Sequence, residues 1–140
     1  MEKVENCISF ILGKASQAVS RRARELLSPF QITAVQYAVL KAISDSEPTT
    51  ASDLSERLVI DTATITGVID RLEGNKWVAR KAHKTDRRIN LVSLTPKAKK
   101  QLPAMDQAMD LLNEEVRAMI GGKSAAVWQG LASVNALKKG

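Results

Sequence analysis

Residues 61–95 read Asp61-Thr-Ala-Thr-Ile-Thr-Gly-Val-Ile-Asp-Arg-Leu-Glu-Gly-Asn-Lys-Trp77-Val-Ala-Arg-Lys-Ala-His83-Lys-Thr-Asp-Arg-Arg88-Ile-Asn-Leu-Val-Ser-Leu-Thr95. The change of rhythm inside this stretch decides the fold. Up to Gly74, apolar residues recur at Ile65, Val68, Ile69 and Leu72, the three-to-four spacing of a helix with one buried face. Asp61 is an N-cap residue type, and Gly74-Asn75 is a terminator. From Trp77 the period becomes two. Trp77–His83 and Ile89–Leu94 read as strands joined by Lys84-Thr-Asp-Arg-Arg88. Thr95-Pro96 then restarts a helix, with threonine as cap and proline at the first helical position.

Upstream, Thr50-Ala-Ser-Asp53 resembles a capping box with a shortened acid, and it opens a helix with Leu54 and Leu58 inward. Two capped helices a few residues apart outline a helix-turn-helix, and the hairpin behind them is a wing. Before that, Thr33 caps a helix striped by Val35, Tyr37–Val39 and Ala42/Ile43, closed by the turn residues Ser44-Asp-Ser-Glu-Pro48. Residues 3–27 carry Val4, Cys7/Ile8, Ile11/Leu12, Ala15, Ala18/Val19, Ala23 and Leu26/Leu27. This predicts a long first helix, about 36 Å for 24 residues, stopped by Ser28-Pro29. Downstream, Leu102, Met105, Met109, Leu112, Val116 and Met119/Ile120 keep a heptad-like rhythm suited to packing on other helices. Pro103 should kink that helix, Gly121-Gly122 should break it, and Ser124 should cap a last helix carrying Val127/Trp128, Leu131, Val134 and Leu137. The expected architecture is mostly α with one small β-hairpin wing: a winged helix-turn-helix over residues 33–100, between terminal helices at 3–27 and 102–138.

Composition narrows the function. With 140 residues, 44% apolar and 26% charged, the chain suits one globular domain spanning 1–140. No apolar run approaches the roughly 20 residues that span a bilayer, and no secretory signal opens the chain, so a cytoplasmic protein without a membrane partner is expected. One cysteine, Cys7, and one histidine, His83, leave no disulfide and no ordinary zinc set; no metal or other cofactor is expected. The acids are scattered, and no nucleophile–base pair or phosphate loop is visible, so an enzyme is not expected. The net charge of +6 is unevenly placed: residues 76–100 hold nine bases against Asp86 alone, a net of +8, leaving −2 for the rest. A basic segment on a nearly neutral body points to a polyanionic partner.

Three motifs tie these elements to a known family. They are Ala51-Ser-Asp-Leu-Ser-Glu-Arg-Leu58, Ile69-Asp-Arg-Leu-Glu73, and Asp86-Arg-Arg88 followed by Val92-Ser-Leu-Thr95. With them the whole chain resembles the MarR family of bacterial transcription regulators. The sequence departs from that pattern at Lys97-Ala-Lys99, where many members carry a glycine, at Asn75-Lys76, where Lys-Gly is more usual, and at Gly67, where members often carry a long polar side chain. The resemblance implies a homodimeric DNA-binding repressor joined through its terminal helices and acting on a pseudo-palindromic operator of double-stranded DNA. It also implies release by a small effector, often an aromatic or phenolic acid, and it assigns minor-groove insertion to Arg88 and orientation of that arginine to Asp86.

The residues themselves support a DNA reading. With Ile65, Val68, Ile69 and Leu72 inward, the helix leaves Thr62, Ala63, Thr64, Thr66, Gly67, Asp70 and Arg71 outward. Hydroxyls and methyls of that kind suit phosphates, base edges and the thymine methyl, although threonine-rich turns also occur as plain solvated surface. In the wing, Lys84, Asp86, Arg87 and Arg88 form the candidate contact, arginine being favoured in narrow minor grooves. Candidate effector residues are Arg21 or Arg22 as carboxylate partners, with Tyr37 and Met105 as walls. Some family members sense peroxide through a first-helix cysteine, which makes Cys7 a redox candidate; a cysteine on an apolar stripe is otherwise a small hydrophobe. His83 reads as a phosphate neighbour or surface residue, and Trp77 and Trp128 as core or interface anchors. The alternatives to a ligand-released repressor are a redox-sensing regulator working through Cys7 and a winged-helix module that binds protein or RNA.

Overall fold

The computed structural model describes residues 1–137. Six helices and one hairpin follow in the order α1 (Ile8–Leu27), α2 (Ala34–Ser46), α3 (Ala51–Leu58), α4 (Thr62–Gly74), β1 (Val78–Ala82), β2 (Asn90–Leu94), α5 (Pro96–Ile120) and α6 (Ser124–Val134). This is the expected mostly helical winged helix-turn-helix. Lys138, the last residue of the expected second terminal segment, lies outside the described residues.

Local chemistry sets most boundaries. Thr33 and Gln36 form a complete capping box on α2. Thr50 accepts the Asp53 amide at the start of α3, Asp61 accepts the Thr64 amide at α4, and Thr95 accepts the Ala98 amide at α5. Each bond satisfies one of the amides a helix N-terminus leaves open. The core lies where α2, α3, α4 and the wing meet: Val39, Leu40, Ile43, Leu54, Ile65, Ile69, Leu72 and Val92 are fully buried. Leu27 from α1 and Met105 from α5 complete it. Burying one such side chain contributes roughly 1.5–3 kcal/mol, so the buried stripe of α4 fixes which of its faces remains outside.

Several expected boundaries shift. Residues Val4–Asn6 form a 3-10 turn, and Cys7 has extended backbone as the N-cap of α1, so the first helix begins at Ile8 rather than at residue 3. The strands start one residue later than expected and the first ends at Ala82; Trp77 remains tied to α4 through its amide on the Leu72 carbonyl, 2.8 Å. Lys123, not Ser124, is the N-cap of α6, and it makes no side-chain capping bond. α5 runs unbroken through Pro103. Val59 takes left-handed geometry (φ 54°, ψ 45°) at the α3–α4 turn, a strained setting for a β-branched residue. It is held there by the Ile60 amide on the Ser55 carbonyl, 3.2 Å, and by the Ser55 hydroxyl on the Ile60 carbonyl.

The hairpin pairs Val78 with Leu94 and Ala82 with Asn90. A third segment joins it: Thr49, from the α2–α3 link, exchanges both backbone hydrogen bonds with Val92, 3.1 and 2.7 Å. The wing is thereby rooted in the helix-turn-helix rather than hanging from its end. At the other side of the molecule α1 packs along α5, and Arg22 forks Glu115 through Nε, 2.9 Å, and Nη2, 2.7 Å.

Candidate nucleic-acid interface

α4 presents Thr62, Ala63, Thr64, Thr66, Asp70 and Arg71 to solvent, with Gly67 half-buried. Three of these side chains are already engaged, Thr62 through its hydroxyl on the Ser55 hydroxyl at 3.3 Å. Thr64 donates its hydroxyl to Asp61 Oδ2 at 2.6 Å, which leaves its methyl and its oxygen lone pairs for an outside partner. The same bond, followed by the Thr64 amide, holds the Asp61 carboxyl below the usual range. Asp70 accepts a bond from Arg80 of β1 on Oδ1, which ties this acid to the wing. Apart from its chain neighbours and the helix's own backbone, nothing lies within 4 Å of where a Gly67 Cβ would sit, so no packing contact demands glycine there.

The wing tip is organised by two side chains. Asp86 accepts three bonds from Arg88: the backbone amide and Nε on Oδ1, both 3.1 Å, and Nη2 on Oδ2 at 3.2 Å. The Arg88 side chain is 91% exposed despite this. An aimed, solvent-facing guanidinium results, and its bonds keep the Asp86 carboxyl below the usual carboxylate range. His83, expected only as a surface or phosphate neighbour, has a structural part: its Nδ1 accepts the amides of Thr85, 3.2 Å, and Asp86, 3.3 Å, across the turn. Lys84 and Arg87 are exposed on the same tip.

The residues expected to line an effector pocket are spread over different duties. Met105 is fully buried in the core. Arg22 is occupied by Glu115 and Glu25. Tyr37 donates to Asp106 Oδ1 at 2.7 Å, beside Lys41 on Oδ2 at 2.8 Å; burial, then that carboxylate, raises the phenol well above its ordinary pKa. Arg21 is exposed. Cys7 is half-buried, with Sγ 3.1 Å from the Ser9 hydroxyl. That hydroxyl, with the amides of Phe10 and Ser9, lowers the thiol pKa. A helix running through Cys7, as the apolar stripe suggests, would occupy these amides; the extended backbone of Cys7 at the N-cap of α1 leaves them without a carbonyl partner four residues back.

Comparison with known proteins follows the same geometry. The model of the MarR family matches residues 32–89, from the residue before the α2 cap to the end of the wing loop. The chain is 31% identical over 107 residues to the HTH-type transcriptional regulator YwoH of Bacillus subtilis (strain 168), covering 76% of this chain and 77% of that protein. The chain belongs to the MarR family. It is also 32% identical over 93 residues to the organic hydroperoxide resistance transcriptional regulator of the same strain, a match spanning 66% of this chain but only 63% of that regulator. Among solved structures, a cysteine-to-serine mutant of MarR from E. coli complexed with operator DNA superposes with a TM-score of 0.84 at 27% identity, covering 96% of this chain and 99% of that one. As a MarR-family member this chain is a transcription regulator, not an enzyme.

Proposed function

We propose that the chain is a homodimeric repressor that binds double-stranded DNA at a pseudo-palindromic operator and is released by a small molecule. One observation carries the DNA reading: the exposed threonine face of α4 and the Asp86-held Arg88 are both displayed to solvent from elements rooted in one core. α4 has 13 residues, about 20 Å of helix, and the major groove, about 12 Å wide, admits one helix. Arg88 then reaches the neighbouring minor groove, where narrow A·T-rich sequence deepens the negative potential.

Dimerisation is supported by the apolar surface of the terminal helices. Ile8, Phe10, Ile11 and Val19 of α1, Ile120 of α5 and Leu131 of α6 are each more than a third exposed, a density of apolar surface that marks an interaction site. A two-fold pairing covers it reciprocally and sets half-sites about one helical turn apart. Release requires a ligand that favours a spacing of the two α4 helices unable to bind DNA; an aromatic or phenolic acid is the class family membership suggests. No single helix among the described residues is long and apolar enough to cross a membrane, and the proposed site of action is chromosomal DNA in the cytoplasm. The test is selection from a random duplex pool, with sedimentation at micromolar concentration. Enrichment of a two-fold sequence by a species of twice 15.3 kDa is expected. A 15.3 kDa species, or no enriched sequence, contradicts the reading.

A second reading, redox control through Cys7, is favoured by the hydrogen bonds that lower its thiol pKa. Loss of DNA binding on hydroperoxide treatment, abolished by Cys7→Ser, supports it; unchanged binding removes it.

A further inference from the structure

We infer that Arg80 is a positioning residue for DNA recognition, fixing the wing against α4 so that α4 and Arg88 meet adjacent grooves of one half-site. This rests on the DNA reading above and assigns Arg80 no contact with DNA of its own.

Arg80 stands in the middle of β1, opposite Val92. Its Nη2 donates to Asp70 Oδ1 at 2.5 Å, its Nη1 to Glu73 Oε1 at 2.9 Å, and its backbone amide to Glu73 Oε2 at 3.3 Å. Asp70 and Glu73 lie one turn apart on α4, so the strand is bonded to the helix at two levels. Arg80 is only 20% exposed, against 61% for Asp70 and 43% for Glu73. With both terminal nitrogens used and two carboxylates beside them, Arg80 is badly placed for a phosphate: the trio nets −1 on a surface otherwise basic. Acids on such a face need a reason. Asp86 has one, since it aims Arg88, and the same logic applies to Asp70 and Glu73.

The clamp also sits where leverage is greatest. A shallow notch of about 240 Å³ separates α4 from the wing, with Thr66 and Ile69 on one side and Arg80, Arg88 and Asn90 on the other. Lys84, the first residue of the tip, stands four residues beyond Arg80, some 13 Å at about 3.3 Å per residue. A swing of about 10° at the clamp therefore moves the tip by about 2 Å over that arm, which is enough to break a side chain's hydrogen bonds to a groove floor.

The test uses four full-length variants and the duplex the wild type selects from a random pool: Arg80→Met, Arg88→Ala, their double, and Asp70→Asn with Glu73→Gln. Binding is read by fluorescence anisotropy at fixed salt. Arg80→Met is expected to weaken binding on the order of tenfold in the wild-type background and less than about twofold once Arg88 is gone, the signature of coupled residues. The paired acid change is expected to weaken binding although it removes two negative charges. One base pair inserted between the major-groove bases and the flanking minor-groove tract should be tolerated better by Arg80→Met than by the wild type. Additive effects of Arg80→Met and Arg88→Ala, or tighter binding by the acid variant, overturn the inference and make Arg80 a plain phosphate contact. Wild-type affinity in Arg88→Ala alone overturns the wing's DNA reading, and this inference with it. Should Arg80→Met fail to fold, the exposed Asp70 and Glu73 changes carry the test unaided.

Discussion

Asp86→Ala separates two accounts of the wing because they differ in sign. If the tip is simply a basic patch, removing its one acid takes each subunit from +6 to +7 and tightens binding to a polyanion. At about 8 Å in water-like dielectric that gain is roughly twofold before salt screening. The structure points the other way. Arg88 is 91% exposed and gains its direction from two side-chain bonds to Asp86, 3.1 and 3.2 Å, with a third from its backbone amide. A free arginine gives up roughly 1.5–2 kcal/mol of rotamer freedom when immobilised, a factor of about ten or more in affinity, and the preformed fork removes much of that penalty before DNA arrives. Set against the electrostatic gain, the expected loss is about fivefold per wing, or about 25-fold for two independent wings. Anisotropy on a selected duplex at fixed salt reads it, with thermal unfolding as control; an exposed pair at a loop tip contributes little to folding, so the melting temperature should barely move. Tighter binding by Asp86→Ala refutes the orienting role. The pH profile offers a check. Because Arg88 holds the Asp86 carboxyl below its ordinary value, the fork is intact above that range and is lost only as pH falls through the depressed value, so no step from Asp86 is expected between pH 6 and 8.

Three further outcomes are expected. Gly67→Ala should raise the melting temperature by about 2–4 °C, since glycine inside a helix costs about 1 kcal/mol relative to alanine and the new Cβ meets open space; a lower melting temperature in calorimetry means the site is not open. Val116→Lys places a charge on α5 beside Val19, Trp128 and Leu131 and should weaken self-association at least a hundredfold, because a buried unpaired charge is costly; a dimer that persists in sedimentation moves the interface elsewhere. The rate of Cys7 alkylation should rise with a midpoint below that of an ordinary thiol, and Ser9→Ala should move the midpoint upward, since the Ser9 hydroxyl is the main stabiliser of the thiolate; a midpoint at or above the ordinary value contradicts it.

The parts of the fold legible in the sequence are those recorded by local spacing. Ile65, Val68, Ile69 and Leu72 announce both the α4 helix and its buried face, and the shift to period two after Trp77 announces the wing. Cap residues give starts because Thr33, Asp61 and Thr95 bond amides only three residues away. What escaped depends on distant segments meeting. The Thr49–Val92 pairing joins residues 43 positions apart through backbone groups that every residue carries. From sequence Asp70 reads as a DNA-facing acid because the approach of Arg80 is a tertiary event; its only trace along the chain is two acids at i and i+3 on α4 followed by an arginine in the next strand. Arg22 and Tyr37 looked free for an effector for the same reason, their partners Glu115 and Asp106 lying on α5, far along the chain.

The central claim is that α4 enters a major groove while Arg88 enters the minor groove beside it, twice, related by a two-fold axis. Chemical footprinting of the wild-type protein on its selected duplex tests this most directly, using a guanine-N7 probe for the major groove and hydroxyl radicals for the minor groove. The account predicts two blocks of major-groove protection about one helical turn apart, each flanked on its outer side by a minor-groove patch that disappears in Arg88→Ala while the major-groove blocks remain. Protection without two-fold character, or minor-groove patches that survive Arg88→Ala, would contradict it.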